Sequence, residues 1–199
     1  ASGDACGYID TFHDVYGNDL GCQTQSLLLF GQDRDAHAIK SKILEADIIY
    51  VGGGNTLRMM KLWRRRGVDQ LLKRAGNQGA VMAGLSAGAI CWHDFGHSDS
   101  CRFSRDGNWS YIRVKGLGFQ SGVFCPHLDQ EGRHEPFRDM IARQGGTGIA
   151  CDDNAAIWYR SNKRPVVIAS QKGATVRVYK RLNGKTEFEV FQNGDEIEL

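Results

Sequence analysis

The segment Gly84-Leu85-Ser86-Ala87-Gly88 constrains the fold more than any other part of this sequence. An apolar run at 80–83 precedes it, and a run compatible with a helix follows at 89–92. A serine on a sharp turn between a strand and a helix is called a nucleophile elbow, and its crowded backbone requires small residues. The pattern predicts an exposed Ser86 hydroxyl at the end of a strand, beside a helix N-terminus that favours developing negative charge.

Short apolar runs alternate with helical patterns through the first two-thirds of the chain. Buried strands are predicted at 26–30, 47–51, 80–83 and 122–126, and helices at 8–16, 35–45, 55–64, 68–76 and from about 136. This alternation indicates an α/β fold with a mostly parallel sheet that has helices on both faces. The segment 93–122 is rich in Gly, Ser, Asp and Arg, which predicts a long loop or short strands. The pattern from 149 onward predicts a β-rich C-terminal part.

Length and composition exclude several classes of protein. The 199 residues, with a formal net charge of +2, predict one domain with a substantial core. Because the charge is nearly balanced, neither nucleic acid nor a membrane surface is an expected partner. No stretch has the apolar length of a membrane span, and no signal peptide is recognisable. Six cysteines are scattered without a C-x-x-C pair, which argues against a zinc site. Cys125 and Cys151 lie in apolar runs, which indicates that they are reduced core residues of a cytoplasmic protein.

Four polar elements follow predicted strands: the turn 52–55, Ser86, His127 and the pair Asp152-Asp153. Ligands bind outside the carboxyl ends of parallel strands, so these elements predict one active site. A serine nucleophile needs a base to take its proton. His127 is favoured as that base because a strand leads directly into it.

The remaining histidines and acids leave alternatives open. His93 and His97 are second choices for the base, and Asp152 or Asp153 is expected to orient the imidazole, with Asp99 as a competitor. The backbone N–H of Ala87 and one from the glycine-rich turn 52–56 are candidates for stabilising an oxyanion. The alternative function of that turn is to bind a free anion, since glycine-rich turns that open helices also do this.

The chain resembles the peptidase E (aspartyl dipeptidase) and cyanophycinase family of serine peptidases. The resemblance covers about residues 1–160, and its matching segments are Ala46–Thr56, Gly84–Ala89, Cys125–His127 and Ile149–Ile157. It implies a fold similar to class I glutamine amidotransferases, with a serine where those enzymes have cysteine. The family has a strand–helix–strand stretch before the position of Ala1, so this chain is expected to lack those strands.

The resemblance also implies roles for individual residues. Asp153 stands where part of the family has its triad acid, which is often glutamate, and Asp152 is the alternative. Asp99 resembles an acidic residue that would bind the α-amino group of the substrate or shape the site. The implied roles are catalytic for Ser86, His127 and Asp153, oxyanion-stabilising for Gly54 and Ala87, and substrate-binding for Asp99 and Asn55.

The function implied is a cytoplasmic serine peptidase that hydrolyses small peptides, with N-terminal aspartate preferred, through an acyl-enzyme on Ser86. It needs no metal or organic cofactor, and a homodimer is a further expectation. The alternatives are a cyanophycinase-like or isoaspartyl-type hydrolase and a non-catalytic anion-binding module. Four arginines are candidates for recognising an aspartyl side chain: Arg102, Arg105, Arg113 and Arg133.

Overall fold

A computed structural model describes residues 3–31, 33, 35–103 and 109–199. Its contacts divide the chain into two compact units, Ala1–Gly88 and Ala89–Leu199. Among the helices in the described ranges, none combines the length and the apolarity needed to cross a bilayer.

The first unit consists of helices and one pair of strands. β1 and β2 pair in parallel, with Ile48 opposite Val81 and Val51 opposite Gly84. Because parallel strands end at the same edge, the segments that follow them are neighbours. The elements are α1 (Cys6–Phe12), a π-helical segment (His13–Asp19), α2 (Ala36–Leu44), β1 (Ile48–Val51), α3 (Thr56–Arg66), α4 (Val68–Asn77) and β2 (Val81–Gly84).

Capping side chains set where two of these helices begin. The Asp35 carboxylate accepts a hydrogen bond from Ala38 N at 2.7 Å and starts α2. The Asn55 side chain accepts one from Arg58 N at 2.9 Å and starts α3. Such bonds satisfy backbone donors that have no partner inside a helix. Gly67, with φ of +68°, ends α3 in the left-handed conformation that favours glycine.

The predicted strand at 26–30 is wrong, because this segment is not in a sheet. Leu28 N donates to the Asp33 carboxylate at 2.6 Å, and Asp33 N donates to Leu28 O at 3.0 Å. The Lys42 ammonium donates to Ser26 O at 2.8 Å. Side chains therefore bond backbone groups that a neighbouring strand would otherwise pair.

The second unit contains a six-stranded sheet with strand order β10-β9-β6-β5-β3-β4. β5 runs parallel to both β3 and β6, and the outer pairs are antiparallel. β7 and β8 form a separate antiparallel pair. The strands are β3 (His93–Ser98), β4 (Ile112–Lys115), β5 (Gln120–Cys125), β6 (Gly148–Cys151), β7 (Ala155–Trp158), β8 (Val166–Ala169), β9 (Val176–Leu182) and β10 (Lys185–Phe191).

Apolar clusters cover both faces of this sheet. Val123 and Cys125 of β5 belong to one cluster, and Phe124 between them belongs to the other. This alternation is the two-residue period of a strand with two buried faces. The helix α6 (His134–Gln144) places Phe137 and Ile141 in the first cluster, where both are fully buried.

The α/β fold class with a β-rich C-terminal part is confirmed. Short strands account for much of the segment 93–122, where a long loop or short strands were predicted. Residues 104–108 of that segment lie outside the described residues.

Candidate active site

Ser86 occupies a sharp turn between β2 and the short helix α5 (Ala87–Ile90). Its φ is +54°, which is uncommon for a residue with a side chain. Leu85 N donates to Val51 O at 3.2 Å, and Gly88 N donates to Leu85 O at 2.8 Å. The predicted strand–turn–helix arrangement is present, and strained backbone of this kind is typical of functional positions.

Only glycine fits on either side of this turn. A Cβ on Gly88 would lie 1.8 Å from Val51 O, and a Cβ on Gly84 would lie 2.5 Å from Gly88 O. Both distances are far below van der Waals contact. The two glycines therefore let the serine turn approach the end of β1 closely, which explains the small residues of the sequence pattern.

The helix after Ser86 is shorter than the predicted helix-compatible run, which extends to Trp92. Trp92 O accepts hydrogen bonds from Phe119 N at 2.8 Å and Gln120 N at 3.0 Å. Cys91 O accepts one from Leu117 N at 2.8 Å. These carbonyls are bonded to another segment, so one helical turn is followed by β3.

The glycine-rich turn after β1 lies beside the serine. A Cβ on Gly53 would lie 3.3 Å from Ser86 Cβ. Gly54 has φ of +141°, a conformation that is essentially restricted to glycine. Ala87 is 1% exposed and follows Ser86 directly. Asn55 is the N-cap of α3, so this side-chain oxygen already has a structural partner, and its substrate-binding role stays a prediction.

In the second unit, the structure brings His127 and Asp153 together. His127 follows β5 and Pro126, and its φ is +56°. Its Nδ1 is hydrogen-bonded to Asp153 Oδ1. This hydrogen bond holds the pKa of Asp153 below its ordinary value, although partial burial acts in the opposite direction. A carboxylate in this position fixes the tautomer of an imidazole and stabilises its protonated form.

Two residues close to His127 in sequence also bind Asp153. The Asp129 carboxylate accepts a hydrogen bond from Asp153 N at 2.8 Å. The Gln130 amide donates to Asp153 Oδ2 at 3.3 Å. Sequence reasoning missed both residues, and the only signal was their position directly after His127. Together they fix the backbone and the second carboxylate oxygen of Asp153.

Asp152, the alternative acid, makes different contacts. Its Oδ2 accepts hydrogen bonds from Thr175 N at 3.0 Å and from Thr175 Oγ1 at 2.6 Å. The residue is 8% exposed, and its Oδ1 has no partner among the described residues. Asp152 therefore connects the end of β6 to the segment before β9, while its neighbour Asp153 contacts His127.

His93 and His97, the second choices for the base, are buried in β3 rather than in a loop. His93 Nε2 lies 2.9 Å from the Tyr159 hydroxyl, and burial lowers its pKa to about 4. His97 stacks on Tyr111 with ring centroids 4.2 Å apart. Burial, with a smaller effect of the Arg133 charge, lowers the pKa of His97 to about 3. Both are neutral histidines with structural partners.

Asp99 follows β3 and pairs with Arg133, with 3.4 Å between Asp99 Oδ2 and the guanidinium. Arg133 is 5% exposed and lies over the Tyr111 ring at 5.0 Å. Its Nε has no hydrogen-bond partner in the part of the chain that the structure describes. A buried cation with a free donor is costly unless something binds it.

The other candidate arginines have different surroundings. Arg113 lies over the Phe95 ring at 4.1 Å, and Arg102 is exposed. Arg105 lies outside the described residues.

The described residues also lack the side-chain groupings that metal ions and disulfides require. Within residues 3–31, 33, 35–103 and 109–199, no group of three or more His, Cys, Asp or Glu side chains is arranged to bind a metal ion. All six cysteines are free thiols, and Cys125 and Cys151 are buried.

Comparisons with known proteins show the family of this chain. The sequence model of Peptidase family S51 matches residues 1–167. The protein named Uncharacterized peptidase YgaJ, from Bacillus subtilis (strain 168), is 37% identical over 176 residues, which is 87% of this chain and 72% of that protein. The chain therefore belongs to Peptidase family S51, a family of serine peptidases.

Two solved structures share the fold. A peptidase from an acI-B1 Actinobacterium has a TM-score of 0.73 at 19% identity, over 97% of this chain and 76% of that chain. A protein of Listeria monocytogenes EGD-e described as a candidate peptidase E has a TM-score of 0.64 at 19% identity, over 84% of this chain and 80% of that chain.

The packing around Ser86 predicts the effect of one added methyl group. We expect Gly88→Ala to lower the free energy of unfolding by about 3 kcal/mol or more, because its Cβ would overlap Val51 O. The matched control is Gly7→Ala in α1, where a Cβ meets nothing within 4 Å. We expect that change to raise stability by up to about 1 kcal/mol. Urea unfolding measures both, and equal stabilities would contradict the close approach.

The His127–Asp153 pair predicts a pH-dependent contribution to stability. The folded-state pKa of Asp153 is lowered, so its contribution is present above the unfolded pKa and is lost as pH falls through the folded pKa. Asp153→Asn should cost less than about 1 kcal/mol at pH 7, since the group is partly exposed. The difference from wild type should shrink below about pH 4.

Urea unfolding between pH 7 and pH 3 tests this, with Asp139→Asn on the exposed face of α6 as the control. A difference for Asp153→Asn that stays constant over this range would show that the carboxylate is not preferentially ionised in the folded protein.

Proposed function

We propose that this chain hydrolyses small peptides through an acyl-enzyme on Ser86. The observation that carries the proposal is the left-handed conformation of Ser86 on a turn that only Gly84 and Gly88 permit. In a nucleophile elbow, a turn of this kind presents the serine hydroxyl to the substrate, and Ser86 is half-buried here. Membership of Peptidase family S51 supports the same chemistry.

The proposed reaction has two stages. In the first, Ser86 Oγ bonds to the scissile carbonyl carbon while His127 takes the serine proton. The C–N bond then breaks, and His127 gives that proton to the departing amine. In the second stage, water loses a proton to His127 and its oxygen bonds to the ester carbon. The bond between that carbon and Ser86 Oγ then breaks, His127 returns the proton to Oγ, and the acid is released. Asp153 orients the imidazole throughout.

Backbone N–H groups are proposed to stabilise the oxyanion formed in both stages. The candidates are Gly54 N–H and Ala87 N–H, which both belong to segments at the ends of paired strands. Fixed donors of this kind cost no reorganisation when the charge develops. The chemistry uses side chains and backbone alone, so the proposal includes no metal or organic cofactor.

We propose a cytoplasmic location for the enzyme.

We further propose that the preferred substrates carry an N-terminal aspartate. The support is Arg133, a buried guanidinium whose Nε lacks a partner among the described residues. A side-chain carboxylate such as that of aspartate is a planar anion whose two oxygens match the donors of a guanidinium. Asp99, which pairs with Arg133, is the proposed acceptor for the α-ammonium of the same substrate residue.

Hydrolysis of aspartyl-p-nitroanilide, with alanyl and leucyl analogues, tests the nucleophile. We expect wild type to release p-nitroaniline and Ser86→Ala to lose at least about a thousandfold in rate, because no other group replaces the hydroxyl. Circular dichroism should show both proteins equally folded. Equal rates in the two proteins would exclude Ser86 as the nucleophile, and a faster leucyl substrate would contradict the aspartyl preference.

The ratio of kcat/KM for aspartyl and alanyl substrates tests Arg133. We expect Arg133→Gln to lower this ratio about tenfold or more, since a charge-assisted hydrogen bond is worth about 1.5–3 kcal/mol. Because both substrates are measured with the same preparation, the ratio of the two kcat/KM values does not depend on the fraction of the variant that is folded. The control Arg102→Gln, at an exposed arginine, should leave it unchanged. An unchanged ratio in Arg133→Gln would assign aspartyl recognition to another residue.

A further inference from the structure

Tyr8 lies directly on the glycine-rich turn beside Ser86, although nothing in the sequence connects it to the site. A Cβ on Gly52 would lie 3.2 Å from both Cδ1 and Cε1 of Tyr8. A Cβ on Gly53 would lie 3.0 Å from the Tyr8 hydroxyl oxygen. The absence of side chains at Gly52 and Gly53 therefore lets the phenol ring pack against the backbone of this turn.

The Tyr8 hydroxyl also lies close to the serine. The same Cβ on Gly53 that would meet the hydroxyl would lie 3.3 Å from Ser86 Cβ. The phenol oxygen and the Ser86 side chain therefore both lie against the same face of Gly53. All of these residues belong to the first unit of the chain.

The Tyr8 side chain is available to a bound molecule. The residue is 47% exposed, and its hydroxyl makes no hydrogen bond with the residues that the structure describes. Tyr16 lies in the next helical segment but stacks on Phe12 with ring centroids 4.7 Å apart. The two tyrosines therefore differ in surroundings, since Tyr8 contacts the turn and Tyr16 contacts other aromatic rings.

We propose that the Tyr8 hydroxyl hydrogen-bonds the backbone of the peptide substrate next to the scissile carbonyl. A phenol hydroxyl can donate or accept, so it suits either the N–H or the C=O of a peptide group. Its position on Gly53 places it beside the turn that would supply Gly54 N–H to the oxyanion. The proposal rests on the proposed function of Ser86, and it adds a substrate-binding residue from α1.

Tyr8→Phe tests the proposal because it removes the hydroxyl and keeps the ring against the glycines. We expect kcat/KM for the peptide substrate to fall about tenfold, the effect of one hydrogen bond, mainly through a higher KM. The contact is made before and during the reaction, so kcat should change little. Tyr16→Phe is the matched control and should behave as wild type. Thermal unfolding should be the same in all three proteins.

A second measurement separates substrate binding from support of the turn. A small arylsulfonyl fluoride modifies a reactive serine but has no peptide groups. We expect it to label Ser86 in Tyr8→Phe at the wild-type rate. Labelling that falls as much as turnover would show that Tyr8 supports the turn instead, and unchanged KM and kcat would show that the hydroxyl is not used. Either result overturns the inference.

Failure of the proposed function gives a different result. In that case wild type itself would show neither turnover nor a Ser86 adduct, and the inference about Tyr8 would fall with it. A defect confined to Tyr8→Phe, by contrast, is seen only when wild type and Tyr16→Phe are active.

Discussion

The close packing of Gly88 against the carbonyl of Val51 is the contact on which the serine turn depends. It brings the turn after β2 next to the end of β1 and leaves no room for a Cβ. The same packing holds Ser86 in a left-handed conformation and sets the glycine-rich turn at Gly53 beside it. A short parallel strand pair thus positions the candidate nucleophile and both candidate oxyanion donors through backbone contacts alone.

The second unit positions the His127–Asp153 pair by a different means, with side chains rather than glycines. Asp129 and Gln130 bind Asp153 from the segment that also carries His127, and Thr175 binds the neighbouring Asp152. Asp152 and Asp153 directly follow β6, and hydrogen bonds from two different segments of the chain therefore hold these two neighbouring residues. The carboxylate next to His127 is therefore fixed at its backbone and at both oxygens, as a group that must hold an imidazole in one tautomer should be.

The sequence predicted the parts of this structure that depend on local pattern. Small residues around Ser86 and a strand leading into His127 were sufficient to identify both elements. The residues alone left the choice between Asp152 and Asp153 open, because it depends on Thr175, which is distant in sequence, and only the family resemblance favoured Asp153. The strand predicted at 26–30 failed for a similar reason, since Asp33 and Lys42 bond its backbone. Tyr8 was missed because its role depends on the absence of side chains at Gly52 and Gly53.

The central proposal is that Ser86 is a nucleophile activated by His127, and reaction with a fluorophosphonate tests it most directly. Peptide mapping by mass spectrometry after labelling would locate the adduct, and its rate of formation would be compared in wild type and His127→Ala. We predict one adduct per chain, on Ser86, that forms at least about a hundredfold more slowly without the imidazole. An adduct on another residue, or an equal rate in His127→Ala, would contradict the account.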